Sequence, residues 1–101
     1  MVRSELVQAL CSKLPELPPH DIKLAVNCML DYMGEALQSG ERIEIRDFGS
    51  FNLRQRPPRI ARNPKTGEQV ALPAQTVVHF KPGRGMRDRV EVSREKHSIR
   101  D

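Results

Sequence analysis

The feature that most constrains the fold is a proline-marked stretch in the second half of the chain. Residues 55–75 contain Pro57, Pro58, Pro64 and Pro73 but few apolar side chains. Proline cannot donate to a strand ladder, so within sheets it is confined to edges, strand starts and bulges. This stretch therefore cannot supply the central strands of a buried sheet. We predict that it forms a long ribbon that projects into solvent.

The middle of this ribbon has the composition of a cationic turn. In "RIARNPKTGEQV", Asn63-Pro64 and Thr66-Gly67 are typical turn pairs, because proline presets φ and glycine accepts positive φ. Turn chemistry leaves the charge unexplained, since residues 54–65 contain five basic side chains and no acidic one. Four of the five are arginine, whose planar fork suits phosphate. The stretch favours polyanion binding over an idle solvated surface.

Positive charge is concentrated in the same part of the chain. The 101 residues carry a net charge of +4. Residues 1–41 have three basic and six acidic side chains, residues 42–89 have eleven and four, and residues 90–101 have three of each. A surface for a polyanionic partner is therefore expected within residues 42–89.

The first 40 residues have the apolar spacing of two helices. Ser4 is the predicted N-cap of the first, in which apolar side chains recur over residues 6–14. The second is predicted to begin at Asp21, to bury an apolar stripe for about five turns, and to end at Gly40 as C-cap. We predict that this second helix is the hydrophobic centre.

After the second helix the pattern changes to the alternation of strands. Ile43 and Ile45 fall on one face of a strand, and three charged residues fall on the other. "DFGS" turns the chain, and Phe51 and Leu53 continue the buried face in a second strand. The pattern after the ribbon predicts that the chain returns to the core through residues 77–80.

The chain is then predicted to close with a short helix and a polar end. The helix begins within "KPGRGMRDRV" and places Met86 and Val90 on one side. Without ribbon and tail, the core is roughly 70 residues long and has only four aromatic side chains, which is marginal for independent stability. We predict dimerisation through the second helix, although its apolar stripe is also compatible with a core within one chain.

The sequence does not favour an enzyme. His20, His79 and His97 lie far apart without metal-ligand spacing, and His79 beside a phenylalanine is typical of a partly buried histidine. There is no nucleophile motif, and "KTGEQ" lacks the rest of a phosphate-binding loop. We expect no catalytic residue, metal or cofactor.

The sequence also lacks the signals of a membrane protein or a disulfide protein. The start "MVRSELVQAL" has no apolar run typical of a signal peptide, and nowhere do about 18 apolar residues follow one another. We expect a cytoplasmic protein with no membrane partner. Cys11 and Cys28 lack CxxC or metal-ligand spacing and are predicted to be small buried hydrophobes.

Taken in order, these elements resemble one protein family. Two helices, paired strands, "DFGSF", a basic arm tipped by "RNPKTG", "FKPG" and a terminal helix resemble the HU and integration host factor family of bacterial DNA-bending proteins over about residues 2–92. "GERIEI", "HFKPG" and "RDR" resemble the beta-type subunit of integration host factor more than the alpha-type subunit or HU.

The resemblance implies an α+β fold for residues 1–92. Two chains would intertwine their helices into a base with a small antiparallel sheet, and each would extend a β-ribbon arm of about residues 55–75 around DNA. Residues 93–101 would be a polar, flexible tail. The implied partners are double-stranded DNA and an alpha-type subunit in a heterodimer, with a homodimer possible, in the bacterial nucleoid.

The resemblance also implies roles for individual residues. Pro64 would insert from the minor groove between base pairs and kink the duplex. Glu44 between two arginines would orient them to read part of a preferred site, although the trio alone is equally compatible with a surface salt-bridge set of little energetic value. The implied DNA-binding residues are Arg42, Glu44, Arg46, Arg54, Arg56, Arg59, Arg62, Asn63, Pro64, Lys65, Lys81, Arg84 and Arg87.

Two departures from the family pattern fall on turn and arm. Asp47 stands where the family usually has glycine, and aspartate tolerates a left-handed conformation better than most residues. Ile60 and Ala61 replace the usual small residues of the arm. Two other functions stay open: an HU-like homodimer with little sequence preference, and a basic-hairpin RNA-binding module of the ribosomal-protein type.

Overall fold

A computed structural model describes residues 1–97 as three helices and five strands. In chain order the elements are α1 Arg3–Lys13, α2 Pro19–Gln38, β1 Ile43–Ile45, β2 Gly49–Arg56, β3 Arg59–Arg62, β4 Gln69–Leu72, β5 Gln75–Pro82 and α3 Arg84–Ser93. The predicted α+β order of helices, strands and closing helix is confirmed. The last four residues of the predicted tail, 98–101, lie outside the described residues.

Helix α1 begins two residues earlier than the sequence suggested. Its N-cap is Val2, no side chain caps it, and the N–H of Leu6 donates to the carbonyl of Val2 at 3.1 Å. Ser4 therefore lies inside the first turn, and the prediction that it is the N-cap was wrong. The backbone of Arg3 is already helical, so the Ser4 hydroxyl cannot serve the flanking, non-helical position that capping requires.

Helix α2 begins at Pro19 rather than at the predicted aspartate two residues later. Proline is well suited to the first helical position, where its missing N–H would be unpaired in any case. The helix ends at Gln38, and Gly40 takes φ 84°. The N–H of Glu41 donates to the carbonyl of Ala36 at 2.9 Å, which is the long bond of a Schellman motif. The predicted helix stop at Gly40 is confirmed.

The strands form two separate antiparallel sheets. One has the order β1-β2-β5, and the other is the two-stranded ribbon β3-β4. Strands β2 and β5 pair as far as Arg56 opposite Gln75, and β3 and β4 pair from Arg59 opposite Leu72. The two intervening residues on each side, three of which are proline, belong to neither ladder. The predicted projecting ribbon is confirmed, but it is jointed at the prolines rather than continuous.

One face of the three-stranded sheet is apolar. The register places Ile43, Phe51 and Phe80 side by side, and the Phe51 and Phe80 rings lie 4.8 Å apart between centroids. Val78 is on this face, but Val77 lies on the opposite face. The prediction that residues 77–80 return to the core together was therefore too coarse, because strand side chains alternate between faces.

The single chain buries very little. Within residues 1–97, Ile22 and Val26 are the only buried apolar side chains, whereas Met29 is 63% exposed and Tyr32 is 71% exposed. The radius of gyration is 19.0 Å, compared with about 13 Å for a compact domain of 100 residues. Most of the apolar stripe of α2 is thus not covered by its own chain. The alternative of a complete core within one chain does not fit this structure.

Candidate nucleic-acid interface

The tip of the β3-β4 ribbon is a hydrogen-bonded turn centred on an exposed proline. The Asn63 side-chain oxygen accepts the N–H of Lys65 at 2.9 Å, and its carbonyl accepts the N–H of Gly67 at 2.7 Å. The Asn63 N–H donates to the carbonyl of Glu68 at 2.8 Å, and Gly67 takes φ 74°. These bonds surround Pro64, so its ring is presented to solvent on a fixed backbone.

The cations of this ribbon are exposed and free of acidic partners. Arg59 and Arg62 lie at the two ends of β3, and Lys65 lies in the tip. None of the three makes an ion pair within the described part of the chain. Their charge is therefore not neutralised internally and is available to phosphates.

A polar face leads from the ribbon to the base of the molecule. Glu44, Ser50 and Lys81 stand side by side across the three strands, on the side opposite the apolar face. Arg54 and Arg56 follow on the same side of β2, because they are four and six residues beyond Ser50. The two predicted β2 arginines therefore lie between the arm and the base.

At the base, β1, the start of β2, the end of β5 and the start of α3 line an open recess of about 360 Å³. Strand β1 and the turn after it supply one side, and the end of β5 and the start of α3 supply the other. Six of the predicted DNA-binding residues line this recess: Arg42, Glu44, Arg46, Lys81, Arg84 and Arg87. The remaining seven lie along β2 and the ribbon: Arg54, Arg56, Arg59, Arg62, Asn63, Pro64 and Lys65.

The predicted readout trio forms only one of its two contacts. Arg42 Nη2 lies 3.4 Å from Glu44 Oε1, with the two side chains 61% and 73% exposed. Within residues 1–97, no ion pair joins Glu44 to Arg46. An exposed pair of this kind contributes about 0–1 kcal/mol. Glu44 is thus placed to orient Arg42, while Arg46 is separately positioned as the second residue of the turn that follows β1.

That turn carries a strained residue. The Phe48 N–H donates to the carbonyl of Ile45 at 3.1 Å, and Asp47, at the third position of the turn, takes φ 65°. Glycine is preferred where a turn demands positive φ, and the expected left-handed conformation of the aspartate is confirmed. Asp47 also lines the recess, although we assigned it no site role from sequence. The sequence feature that could have identified Asp47 is its negative charge within a mainly basic segment.

Other candidate groups do not assemble into a second site. His79 is half-buried as predicted, and its Nδ1 is buried without a hydrogen-bond partner among the described residues. Cys28 is exposed and Cys11 is half-buried, so the prediction of buried cysteines was wrong for Cys28. The reason is that the single chain covers α2 only around Ile22 and Val26.

The part of the chain that the structure describes contains neither a metal-binding cluster nor a membrane-spanning helix. Across residues 1–97, histidine, cysteine, aspartate and glutamate side chains do not gather into groups of three that could hold a metal ion. None of the helices in that range combines the length and apolarity needed to cross a membrane.

Sequence comparison places the chain among known DNA-binding proteins. A family model described as bacterial DNA-binding protein matches residues 1–91. The chain is 59% identical over 90 residues to integration host factor subunit beta of Methylococcus capsulatus, covering 89% of this chain and 95% of that one. It is 55% identical over 100 residues to the same subunit of Halorhodospira halophila, covering 99% and 98%, so that alignment includes the polar tail.

Comparison with solved structures gives the same result for the fold. An Anabaena HU–DNA cocrystal structure matches with a TM-score of 0.81 and 34% sequence identity, covering 89% of this chain and 97% of that chain. An HU mutant from Thermotoga maritima matches with a TM-score of 0.64 and 29% identity, covering 89% and 99%.

Proposed function

The chain belongs to the bacterial DNA-binding protein family, and from this premise we propose that it is an architectural protein that bends duplex DNA. Relatives between 54% and 59% identical are named integration host factor subunit beta. We therefore assign the chain the role of the beta-type subunit of a heterodimer. Its DNA-bound form would resemble the HU–DNA cocrystal structure, with which it shares its fold.

The observation that carries the proposal is the exposed, locked proline at the ribbon tip. Pro64 is apolar and has no N–H, and the bonds around Asn63 and Gly67 hold its backbone in one conformation. A stiff apolar ring at the end of a cationic arm suits insertion between base pairs from the minor groove, as in minor-groove architectural proteins, of which integration host factor is one. The wedge would open one base step and kink the duplex.

The cations along the arm, sheet and recess would hold the bent DNA. Arg54 and Arg56 connect the ribbon to the recess on one polar face, so a duplex bent at the tip would reach both cationic regions. Neutralising the phosphates that a bend brings together offsets the cost of deforming the duplex. In the recess, the exposed Arg42–Glu44 pair and Arg46 would contribute sequence preference through shape and minor-groove contacts.

A second subunit would cover the apolar surface that the single chain leaves exposed. The stripe of α2 and the apolar sheet face are too extensive to remain in water. An alpha-type chain of the same fold is the expected partner in the cell, and a homodimer is possible in its absence. The protein would act without catalysing a reaction, in the cytoplasm, on the nucleoid.

Isolation of the native complex followed by a bending assay tests this proposal. A tagged copy of the chain expressed in its own bacterium should recover an alpha-type subunit in equal amount. The complex should bring the two dye-labelled ends of a duplex together, and a structured RNA should compete poorly. Recovery of one chain type alone would favour the HU-like homodimer, and stronger competition by RNA than by bent duplex would reject DNA bending as the function.

A further inference from the structure

The cationic recess contains two acidic residues with different surroundings. Glu44 is paired with Arg42 at 3.4 Å. Asp47 lines the same recess together with Arg46, Arg84 and Arg87. Within residues 1–97 it makes no ion pair at 4 Å or less. Its negative charge is therefore not cancelled by a direct partner, although it stands among the side chains proposed to hold phosphates.

The backbone fixes the position of Asp47 against the start of α3. The Gly83 N–H donates to the carbonyl of Phe48 at 2.9 Å, which ties the turn to the residue before the helix. A Cβ atom at Gly85 would lie 4.0 Å from Asp47 Oδ1 and 3.5 Å from its carbonyl oxygen. The turn therefore lies close to the first turn of the helix. There the positive end of the helix favours a carboxylate.

We propose that Asp47 limits the affinity of the recess for duplex DNA. Its carboxylate repels any phosphate that approaches Arg46, Arg84 or Arg87, because a like charge at close range opposes the attraction of the cations. This repulsion does not depend on base sequence. Asp47 therefore weakens the grip on all DNA, while the wedge at the arm tip and the Arg42–Glu44 pair are left unchanged.

The inference rests on the proposed DNA-bending function and is tested in the native complex with Asp47→Asn. Asparagine has nearly the same shape and also tolerates positive φ, so the substitution removes only the charge. One additional effective phosphate contact should tighten binding about 5- to 10-fold near 0.1 M salt and steepen the slope of log K against log salt by about one. The gain should be equal for preferred and random duplexes.

Two further variants separate charge from other effects. Glu91→Gln removes one acidic charge from α3 outside the recess, where Glu91 pairs with Arg94 at 3.2 Å, and should leave DNA affinity unchanged. Asp47→Gly removes the charge and the strained side chain together, and should tighten binding as much as Asp47→Asn does. Tighter binding by the glycine variant alone would overturn the inference in favour of backbone strain. An equal gain from Glu91→Gln would overturn it in favour of a general effect of net charge.

The outcomes also distinguish the two proposals. If the unmodified complex fails to bind and bend duplex DNA, the proposed function is wrong. If it binds and bends DNA but Asp47→Asn leaves affinity and salt dependence unchanged, the proposed function stands and the role of Asp47 is rejected.

Discussion

The two cationic regions of the molecule are built differently. The ribbon carries Arg59, Arg62 and Lys65 around an exposed proline, without an acidic residue between positions 54 and 65. The recess at the base holds five cations, but Glu44 and Asp47 are placed among them. Acids within a phosphate-binding surface cost affinity, so their presence indicates a task other than maximal attraction. We propose that the ribbon grips and deforms DNA, and that the recess adjusts the affinity and contributes to sequence preference.

The two regions also differ in how they are supported. The recess is built on the three-stranded sheet, where the rings of Phe48, Phe51 and Phe80 pack together. The ribbon has its own two-stranded ladder and is separated from that sheet by the proline joints. Two-stranded hairpins are marginally stable by themselves. A substitution in the ribbon should therefore alter DNA bending without destabilising the base, whereas a substitution that disturbs the packed rings of the base should destabilise the whole fold.

The salt dependence of DNA binding gives the largest expected effect. If half of the arm, sheet and recess cations in each chain of a dimer contact phosphates, log K should fall against log salt with a slope of about −5 or steeper. The eight cations counted are Arg54, Arg56, Arg59, Arg62, Lys65, Lys81, Arg84 and Arg87. Equilibrium titrations over a series of salt concentrations measure the slope, and a value shallower than about −2 would contradict this binding surface.

Matched triple variants compare the regions directly. One variant changes Arg59, Arg62 and Lys65 to glutamine, and the other changes Arg46, Arg84 and Arg87. Each should reduce the magnitude of the slope by up to about three for each chain that carries it. A normal slope in the recess variant would confine phosphate binding to the arm and the sheet.

A pair of glycine substitutions tests whether the base contributes more than the ribbon to the stability of the fold. A Cβ atom at Gly49 would lie 2.6 Å from the Phe80 ring and 2.7 Å from the carbonyl oxygen of Lys81. Gly49→Ala should therefore destabilise the fold by at least about 2 kcal/mol, the middle of the range for overpacking. Gly67→Ala places its Cβ in open space at φ 74° and should strain only the ribbon tip, by about 1 kcal/mol.

Thermal unfolding followed by circular dichroism measures the difference between these variants. The melting temperature should fall sharply for Gly49→Ala and stay unchanged for Gly67→Ala, which should nevertheless bend DNA less. Equal losses of melting temperature would mean that the ribbon and the base unfold as one cooperative unit.

The sequence predicted this division of the molecule better than it predicted the details. The four prolines and the missing apolar residues identified the ribbon, because those constraints are local. The helix stop at Gly40 was found for the same reason. The start of α1 depends on local backbone geometry at Val2, and residues 77–80 were assigned to the core as a block although neighbouring strand residues lie on opposite faces. Helix starts and strand faces were therefore less accurately placed.

The candidate site was predicted in the same uneven way. Charge and turn chemistry identified the arm residues without any knowledge of the fold. The recess could not be assembled from spacing alone, because Arg46 and Arg84 are distant in the chain and meet only after β5 pairs with β2. Asp47 was assigned only to a turn, since its place beside α3 depends on the tertiary hydrogen bond between Gly83 and Phe48.

Removal of the proline wedge at the ribbon tip should have the next largest effect on DNA binding. Pro64→Ala leaves every charge in place but shortens and loosens the apolar wedge. We expect a smaller bend and binding to straight duplex that is weaker by about tenfold or more, because separating a base step costs a few kcal/mol. DNA already nicked or kinked at the contact point should recover much of that affinity.

Energy transfer between dyes on straight and pre-nicked duplexes measures both effects. Ile60→Ala is a suitable control, since it also removes apolar bulk from an exposed ribbon side chain but leaves the tip intact. Equal losses of affinity on both duplexes with an unchanged bend would assign Pro64 to arm rigidity alone.

The smallest expected effect lies in the recess and concerns Glu44. Simple electrostatics predicts that removing an acid near DNA tightens binding to every sequence. The 3.4 Å contact indicates instead that Glu44 orients Arg42. In that case Glu44→Ala should lower the preference for a favoured site over random duplex by several-fold. This loss lies within the cost of one mismatched base pair, about 1–3 kcal/mol. Arg46→Ala should lower the same preference and weaken binding as well.

Comparison of Glu44 with Asp47 separates orientation of an arginine from simple charge repulsion. Both residues are acids in the same recess, but within residues 1–97 only Glu44 has a direct cationic partner. Competition titrations of preferred against random duplex should therefore show a loss of preference for Glu44→Ala and a uniform gain of affinity for Asp47→Asn. If Glu44→Ala also tightens binding to all sequences and leaves the preference unchanged, the Arg42–Glu44 pair is an ordinary surface salt bridge. Sequence discrimination would then have to come from the deformability of the DNA at the wedge.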